Sequence, residues 1–123
     1  MRKTILPALL MTVIAAPVIA AGSYPVSGQW GESKSSEKGP GDCNGVRVIG
    51  FNGDTRTDSK GGVPAYRIKS IDAESGSRYR VVDQFTSGQI RNGSVKYTLH
   101  QVDDDHLELN MQMGGMLKLR KCK

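Results

Sequence analysis

The residues with types and spacing suited to chemistry are few. Cys43 and Cys122 stand 79 positions apart, with no Cys-x-x-Cys pair between them. A dithiol redox centre therefore has no local motif, and one disulfide is expected. Closing so long a loop stabilises by about 4 to 5 kcal/mol in the chain-entropy account, comparable with the whole margin of a small domain. Asp103-Asp104-Asp105-His106 is the local cluster with cation-ligand atoms, which makes Asp103, Asp105 and His106 the weak metal candidates. Successive turn residues point in different directions, and no glycine is spaced as in an EF-hand loop, so a solubilising acidic turn is expected and no metal is assigned.

A hydrolase needs a nucleophile, a base and an orienting group. Serines are plentiful, but no Gly-x-Ser-x-Gly elbow exists, and the two histidines are His100 and His106. His100 lies on the strand side opposite Tyr97 and Leu99, towards water. Asp72, Glu74, Asp83 and Glu108 could pair as acid and base, although carboxylates at strand ends ordinarily face solvent. The chain is read as non-enzymatic, with no catalytic residue and no cofactor. Asp83 is the exception among the carboxylates, because its phase follows Tyr79, Val81 and Phe85 and aims it inward. Burial would be costly without partners, so a twist or bulge that turns it outward is expected. If it stays inside, Asp83, Tyr97, Met111 and Met113 form the ligand-facing set. Leu109, Met111, Met113 and Met116 are the most adaptable apolar surface, with core filling the expected use.

These residues are positioned by a stretch that reads as four consecutive strands, Ser77 to Phe85, Ser94 to Val102, His106 to Met113 and Met116 to Cys122. Asn92-Gly93 and Gly114-Gly115 are hairpin signals, since both central residues of a type I′ turn need positive φ. Asn92-Gly93-Ser94 also fits an N-glycosylation acceptor, but the turn explains it. The inward faces are Tyr79, Val81 and Phe85; Val95, Tyr97 and Leu99; and Leu107, Leu109, Met111 and Met113. Upstream, Gly28-Gln29-Trp30, Gly45 to Asn52 and Ala65 to Ile71 are further strands. An eighth could fall at Asn52 to Arg56 or in the lead-in, and Ser33 to Gly41 and Thr55 to Pro64 read as long polar loops. Helical spacing is absent from the mature part, which carries all 15 glycines. The fold class is all-β: a small antiparallel up-and-down β-barrel of seven to eight strands, whose closure removes exposed edges.

Met1-Arg2-Lys3 and the apolar block Thr4 to Ala16 read as a signal peptide over residues 1–20, with cleavage after Ala20 or Ala21. Residues 21–27 form an extended lead-in and residues 28–123 the single barrel domain. Loss of Arg2 and Lys3 with the leader lowers the formal charge from +5 to +3. Positive and negative residues are interspersed, as on a soluble surface. Tyr66-Arg67-Ile68-Lys69 and Arg78-Tyr79-Arg80 are the best basic and aromatic runs, but they fit a solvated strand face better than a nucleic-acid groove. The chain is expected to be periplasmic or secreted, without a membrane span after cleavage and without a nucleic-acid partner. Oligomeric state is not readable.

Gly28-Gln29-Trp30 near the mature start, together with Arg120 in the last strand, resembles the signature of the calycins, the group of lipocalins, fatty-acid-binding proteins, avidins and certain bacterial metalloprotease inhibitors. The resemblance implies that Trp30 and Arg120 stack at one closed end of the barrel, a guanidinium over an indole face. The chain lacks a second lipocalin motif of the Thr-Asp-Tyr kind and the several tryptophans of avidin biotin sites. The function this implies is an exported binding protein that holds a small apolar ligand, or a protein partner through the two polar loops. The alternatives are an inhibitor of a secreted or periplasmic hydrolase, which would insert the free lead-in Ala21 to Ser27 into a catalytic cleft, and a structural envelope protein with no ligand.

Overall fold

The computed structural model describes residues 22–60, 65–86 and 93–123. The leader with its cleavage position lies outside the described residues, as do Pro64 and Asn92. Eight strands follow one another: β1 (Gly28–Glu32), β2 (Val48–Asn52), β3 (Thr55–Asp58), β4 (Ala65–Ser75), β5 (Arg78–Phe85), β6 (Ser94–Asp103), β7 (His106–Met111) and β8 (Gly115–Lys121). Each pairs antiparallel with its neighbours in sequence, and β8 returns to β1 to close the barrel. Among the described residues, no strand edge of the barrel is left without a neighbour.

Alternation sets which face goes inside. In β6 to β8 the inward residues Tyr97, Leu99, Leu107, Leu109, Leu117 and Leu119 are buried, and the register Leu99↔Leu109, Leu107↔Leu119 and Leu109↔Leu117 brings them together across strands. Ile49 and Phe51 of β2, Val81 of β5 and Trp30 of β1 complete the core. Each such side chain contributes about 1.5 to 3 kcal/mol on burial, so this set carries the fold.

Three expectations from the sequence are corrected. The stretch Thr55 to Pro64 is not loop throughout, because Thr55–Asp58 is β3 and pairs with both β2 and β4. Its inward residues are Arg56 and Asp58, so the ordinary apolar-inside pattern is inverted and gives no hydrophobic signal. β7 ends at Met111, which leaves Met113 in the following turn at 95% exposure instead of on the inner face. The third correction concerns the lead-in. Residues 22–27 fold across the barrel end that carries the β2–β3 turn: the Tyr24 amide donates to the Gly53 carbonyl at 2.9 Å, and the Tyr24 ring meets Phe51 edge-on at 5.0 Å. Tyr24 and Val26 are buried, and Trp30 Nε1 donates to the Ser27 carbonyl at 3.0 Å. The lead-in is a plug, because its aromatic and branched side chains complete the core.

Cys43 and Cys122 are bonded, with their Cα atoms 5.6 Å apart. The bond fastens the β1–β2 connection and the C-terminal residues against the outside of β1 at Gly31, where a Cβ would come within 2.5 Å of Cys43 Sγ. A disulfide is compatible with an oxidising compartment. Among the described residues no helix is long and apolar enough to cross a membrane.

Candidate functional site

Two regions concentrate polar or reactive atoms: a network inside the barrel, and a mouth at the end opposite the plug. Inside, Asp83 is fully buried at 0% exposure. The β5–β6 register runs without a shift through Asp83↔Val95, and the irregularity nearby falls on β4 between Ile68 and Ser70. The bulge that would turn Asp83 outward is absent from its own strand. Partners make its burial tolerable: Tyr24 Oη donates to Oδ1 at 2.7 Å, while Tyr97 Oη at 2.7 Å and Arg56 Nε at 2.6 Å donate to Oδ2. Three donors, one of them charged, satisfy the carboxylate.

Arg56, at 2% exposure, lies with its guanidinium 3.9 Å from the Tyr66 ring centroid and 5.2 Å from that of Tyr97. Its Nη1 is 3.9 Å from Asp58, which in turn receives Arg47 through Nε at 3.0 Å and Nη2 at 2.7 Å. Two arginines thus balance two aspartates. Burial pushes the Tyr24 and Tyr97 hydroxyls well above the usual phenol range, and the Asp83 charge adds to it. Burial alone would lower the Arg56 pKa, but the fields of Tyr97 and Asp83 and the Asp83 hydrogen bond raise it. For Asp58, burial opposes the charge, yet the Arg47 hydrogen bond and the Lys60 amide outweigh it and hold the carboxyl below its usual range. The two tyrosine hydroxyls, Arg56 Nε and the Arg47 fork each meet a carboxylate oxygen of the network. What it does chemically is fasten the plug to β3, β5 and β6.

The residues singled out from the sequence separate accordingly. Trp30 and Arg120 do not stack. Trp30 pairs with Lys121 and Gly31 with Arg120, and paired residues project to the same face, so Trp30 points inward and Arg120 outward. Lys121 Nζ is the cation near the indole, at 5.8 Å. Arg120 instead pins the β1–β2 connection, donating through Nε to the Gly39 carbonyl at 2.8 Å and through Nη2 to the Lys38 carbonyl at 3.2 Å. The polar loop Ser33 to Gly41 is therefore held against β8, not free. The acidic turn is likewise engaged with protein: Asp103 Oδ1 lies 2.7 Å from His106 Nδ1, and Asp105 Oδ2 accepts the Gly39 amide at 3.0 Å. The His106 hydrogen bond keeps the Asp103 carboxyl below its usual range. Among the described residues no group of three His, Cys, Asp or Glu side chains could hold a metal ion.

At the mouth, Val95, Met111 and Leu117 form an apolar floor, and Met113 and Met116 form the lip of a depression of about 480 Å³. Glu32, Arg47 and Lys96 stand around it. The β7–β8 hairpin positions the methionines: Met111 pairs with Gly115, whose φ of +77° reverses the chain after Gln112-Met113-Gly114. Met113 and Met116 are 95% and 53% exposed. Of the expected ligand-facing residues, Met111 and Met113 line this mouth, whereas Tyr97 and Asp83 belong to the internal network. A wider depression of about 650 Å³ crosses the outer face of β4 to β7 beside Asp72, Arg80 and Lys96, but no exposed large apolar side chain borders it.

Sequence reasoning missed Tyr24, Arg47, Arg56 and Asp58. The signal that could have found two of them is Arg56-x-Asp58 between the turn Gly53-Asp54 and the polar run from Ser59, which has strand alternation with charge on the inward phase. No protein family, no curated protein and no solved structure matches the chain.

Proposed function

We propose that this chain is an exported, non-enzymatic binding protein, a calycin-like barrel that holds a small apolar ligand at its methionine-lined mouth. The observation that carries this reading is the pair of methionines left in water around an apolar floor, since exposed large apolar side chains grouped at a concavity mark an interaction site and methionine adapts to ligands of varied shape. A volume of about 480 Å³ falls in the range of small-molecule sites. Tyr24, Val26 and Trp30 are buried at the other end.

The serial meander closing on itself and Gly28-Gln29-Trp30 on β1 support the calycin-like assignment, with Lys121 supplying the cation that the resemblance implied for Arg120. Export is supported by the positive start and apolar block at the N-terminus and by the disulfide. The inhibitor alternative drew on a free lead-in, and Tyr24 and Val26 are instead part of the core.

The test is a fluorescence titration with 1-anilinonaphthalene-8-sulfonate, an apolar probe. Wild-type protein is expected to bind it saturably, and Met113→Gln with Met116→Gln to weaken binding by about tenfold, the equivalent of roughly 1.4 kcal/mol. Unchanged binding in the double variant would overturn the site, and no binding by the wild type would favour a structural envelope protein without a ligand.

A further inference from the structure

The pairing of β4 with β5 brings together two basic runs that the sequence separates, Arg67-Ile68-Lys69 and Arg78-Tyr79-Arg80. Tyr66, Ile68 and Val81 are buried and Tyr79 packs against the core, so the alternate side chains point outward. Arg67, Lys69, Arg78 and Arg80 are all exposed, as is Lys96, which β6 sets opposite Val82. From Gln84, opposite Arg67, to Arg78 this surface is about 20 Å long. Against these five cations β4 sets the exposed carboxylates of Asp72 and Glu74, whereas a merely solubilising surface intersperses the two signs. Arg67 reaches Asp54 and Arg80 reaches Glu74 only at 3.8 Å, between exposed groups, and such contacts contribute little. Among the described residues Lys69, Arg78 and Lys96 have no ion-pair partner. The depression of about 650 Å³ lies on this surface, with Ser70, Thr98 and Asn110 at its border beside Asp72, Arg80 and Lys96.

We infer that the outer face of β4, β5 and β6 binds an acidic polysaccharide, with the polymer's carboxylates on the five cations and its hydroxyls on Asp72, Ser70, Thr98 and Asn110. Charge selects a polyanion, and the arginine fork takes a carboxylate through two parallel hydrogen bonds. Cations spread along the strands, instead of converging on one point, suit a repeating anion. The remaining groups select among polymers. A sugar hydroxyl both donates and accepts, so the Asp72 carboxylate, the Ser70 and Thr98 hydroxyls and the Asn110 amide can each pair with one. A phosphate backbone would instead be repelled by Asp72 and Glu74. Single-stranded nucleic acid also needs aromatic side chains under its bases, and Tyr66, Tyr79 and Tyr97 are on the inner phase of these strands. A lipid surface needs apolar side chains that enter it, and none of the exposed large apolar residues borders the depression. The inference goes beyond the apolar-ligand reading, since this face lies outside the barrel and, of the side chains named for it, only Lys96 also borders the mouth.

The experiment titrates the disulfide-intact protein into fluorescently labelled oligogalacturonate and reads anisotropy. Wild-type protein is expected to bind saturably, and less tightly as salt rises and screens the charges. Combining Lys69→Gln, Arg78→Gln and Arg80→Gln should weaken binding by about tenfold or more, the equivalent of roughly 1.4 kcal/mol. Combining Lys34→Gln, Lys38→Gln and Lys123→Gln removes the same charge from exposed positions elsewhere and should leave binding within about twofold of the wild type, as expected for distant surface sites. Thr98→Val with Asn110→Leu changes no charge and should also weaken it, because the sugar hydroxyls lose partners. Anilinonaphthalene sulfonate titration should be unchanged in the Lys69, Arg78 and Arg80 variant, so failure of this face and failure of the mouth are read separately. The inference is overturned if the wild type does not bind oligogalacturonate, or if the two charge-matched variants lose equally. It is overturned as well if single-stranded DNA or phosphatidylglycerol vesicles bind more tightly than oligogalacturonate.

Discussion

Tyr24 donates its hydroxyl to Asp83 across 59 positions of sequence, at 2.7 Å, in the interior of the barrel. This bond joins the segment before the first strand to the middle of β5, so the N-terminal residues are part of the closed structure. Tyr24→Phe keeps the ring against Phe51 but leaves Oδ1 of a buried carboxylate without its donor, which costs about 1 to 3 kcal/mol. Asp83→Ala removes the partner of a buried guanidinium and should cost more, about 3 to 5 kcal/mol. Urea unfolding of both variants measures the difference. A neutral Tyr24→Phe would show that the plug is held by apolar packing alone.

The same network predicts how stability responds to alkali. Burial first, and then the Asp83 charge, raise the Tyr24 and Tyr97 pKa values above the unfolded value near 10. Folding thus favours their protonated forms. The stabilisation is complete below about pH 10 and is lost as pH rises above it towards the folded pKa, because the unfolded chain releases these protons first. Tyrosinate absorbance from Tyr24 and Tyr97, assigned by difference against Tyr24→Phe and Tyr97→Phe, should appear together with loss of the native circular dichroism. Early ionisation in the folded protein would contradict the burial of both hydroxyls. At the acid end the sign reverses for Asp58, whose depressed pKa makes its pairing with Arg47 a contribution that is lost as pH falls below the usual aspartate range.

How much of this was legible in the sequence depended on whether the inward face was apolar. β6, β7 and β8 were readable because Leu99, Leu107, Leu109, Leu117 and Leu119 alternate with polar residues, and barrel closure followed from many short strands in series. β3 was not, since its inward residues are Arg56 and Asp58. Their burial is tolerable only because Asp83, Arg47, Tyr24 and Tyr97 arrive from elsewhere in the chain, and no local pattern contains that. Asp83 shows the same limit: its phase was visible, but the donors that let it stay inside lie 14, 27 and 59 positions away. Of the candidate site, Met111 and Met113 were named from the sequence with core filling as their expected use, and the exposure of Met113 in the turn required knowing where β7 ends.

The disulfide should matter more than any single hydrogen bond. Cys43→Ser with Cys122→Ser removes a cross-link 79 positions long, and about 4 to 5 kcal/mol is expected on chain entropy. Native wild-type protein should show no labelled thiol. Gly31→Ala probes the packing beneath the bond independently: its new Cβ would fall 2.5 Å from Cys43 Sγ, closer than real contacts permit. A loss of about 1 to 3 kcal/mol is expected, and most of that loss should vanish in the Cys43→Ser, Cys122→Ser background if the clash is with the bond.

Trp30 and Arg120 offer a test of which face each occupies. Trp30→Ala opens a cavity beneath the plug and should cost about 3 to 5 kcal/mol. Arg120→Ala frees the Gly39 and Lys38 carbonyls on the outer surface, and about 1 to 2 kcal/mol is expected, since those groups regain water. Because β1 and β8 place the two side chains on opposite faces, the double variant should lose the sum of the single losses within about 0.5 kcal/mol. A coupling of 1 kcal/mol or more would put the guanidinium over the indole after all and return the closed end to the arrangement that the Gly-x-Trp signature implied. Additivity together with a coupling between Trp30 and Lys121 would establish that the cation at this end of the barrel comes from the next residue along β8.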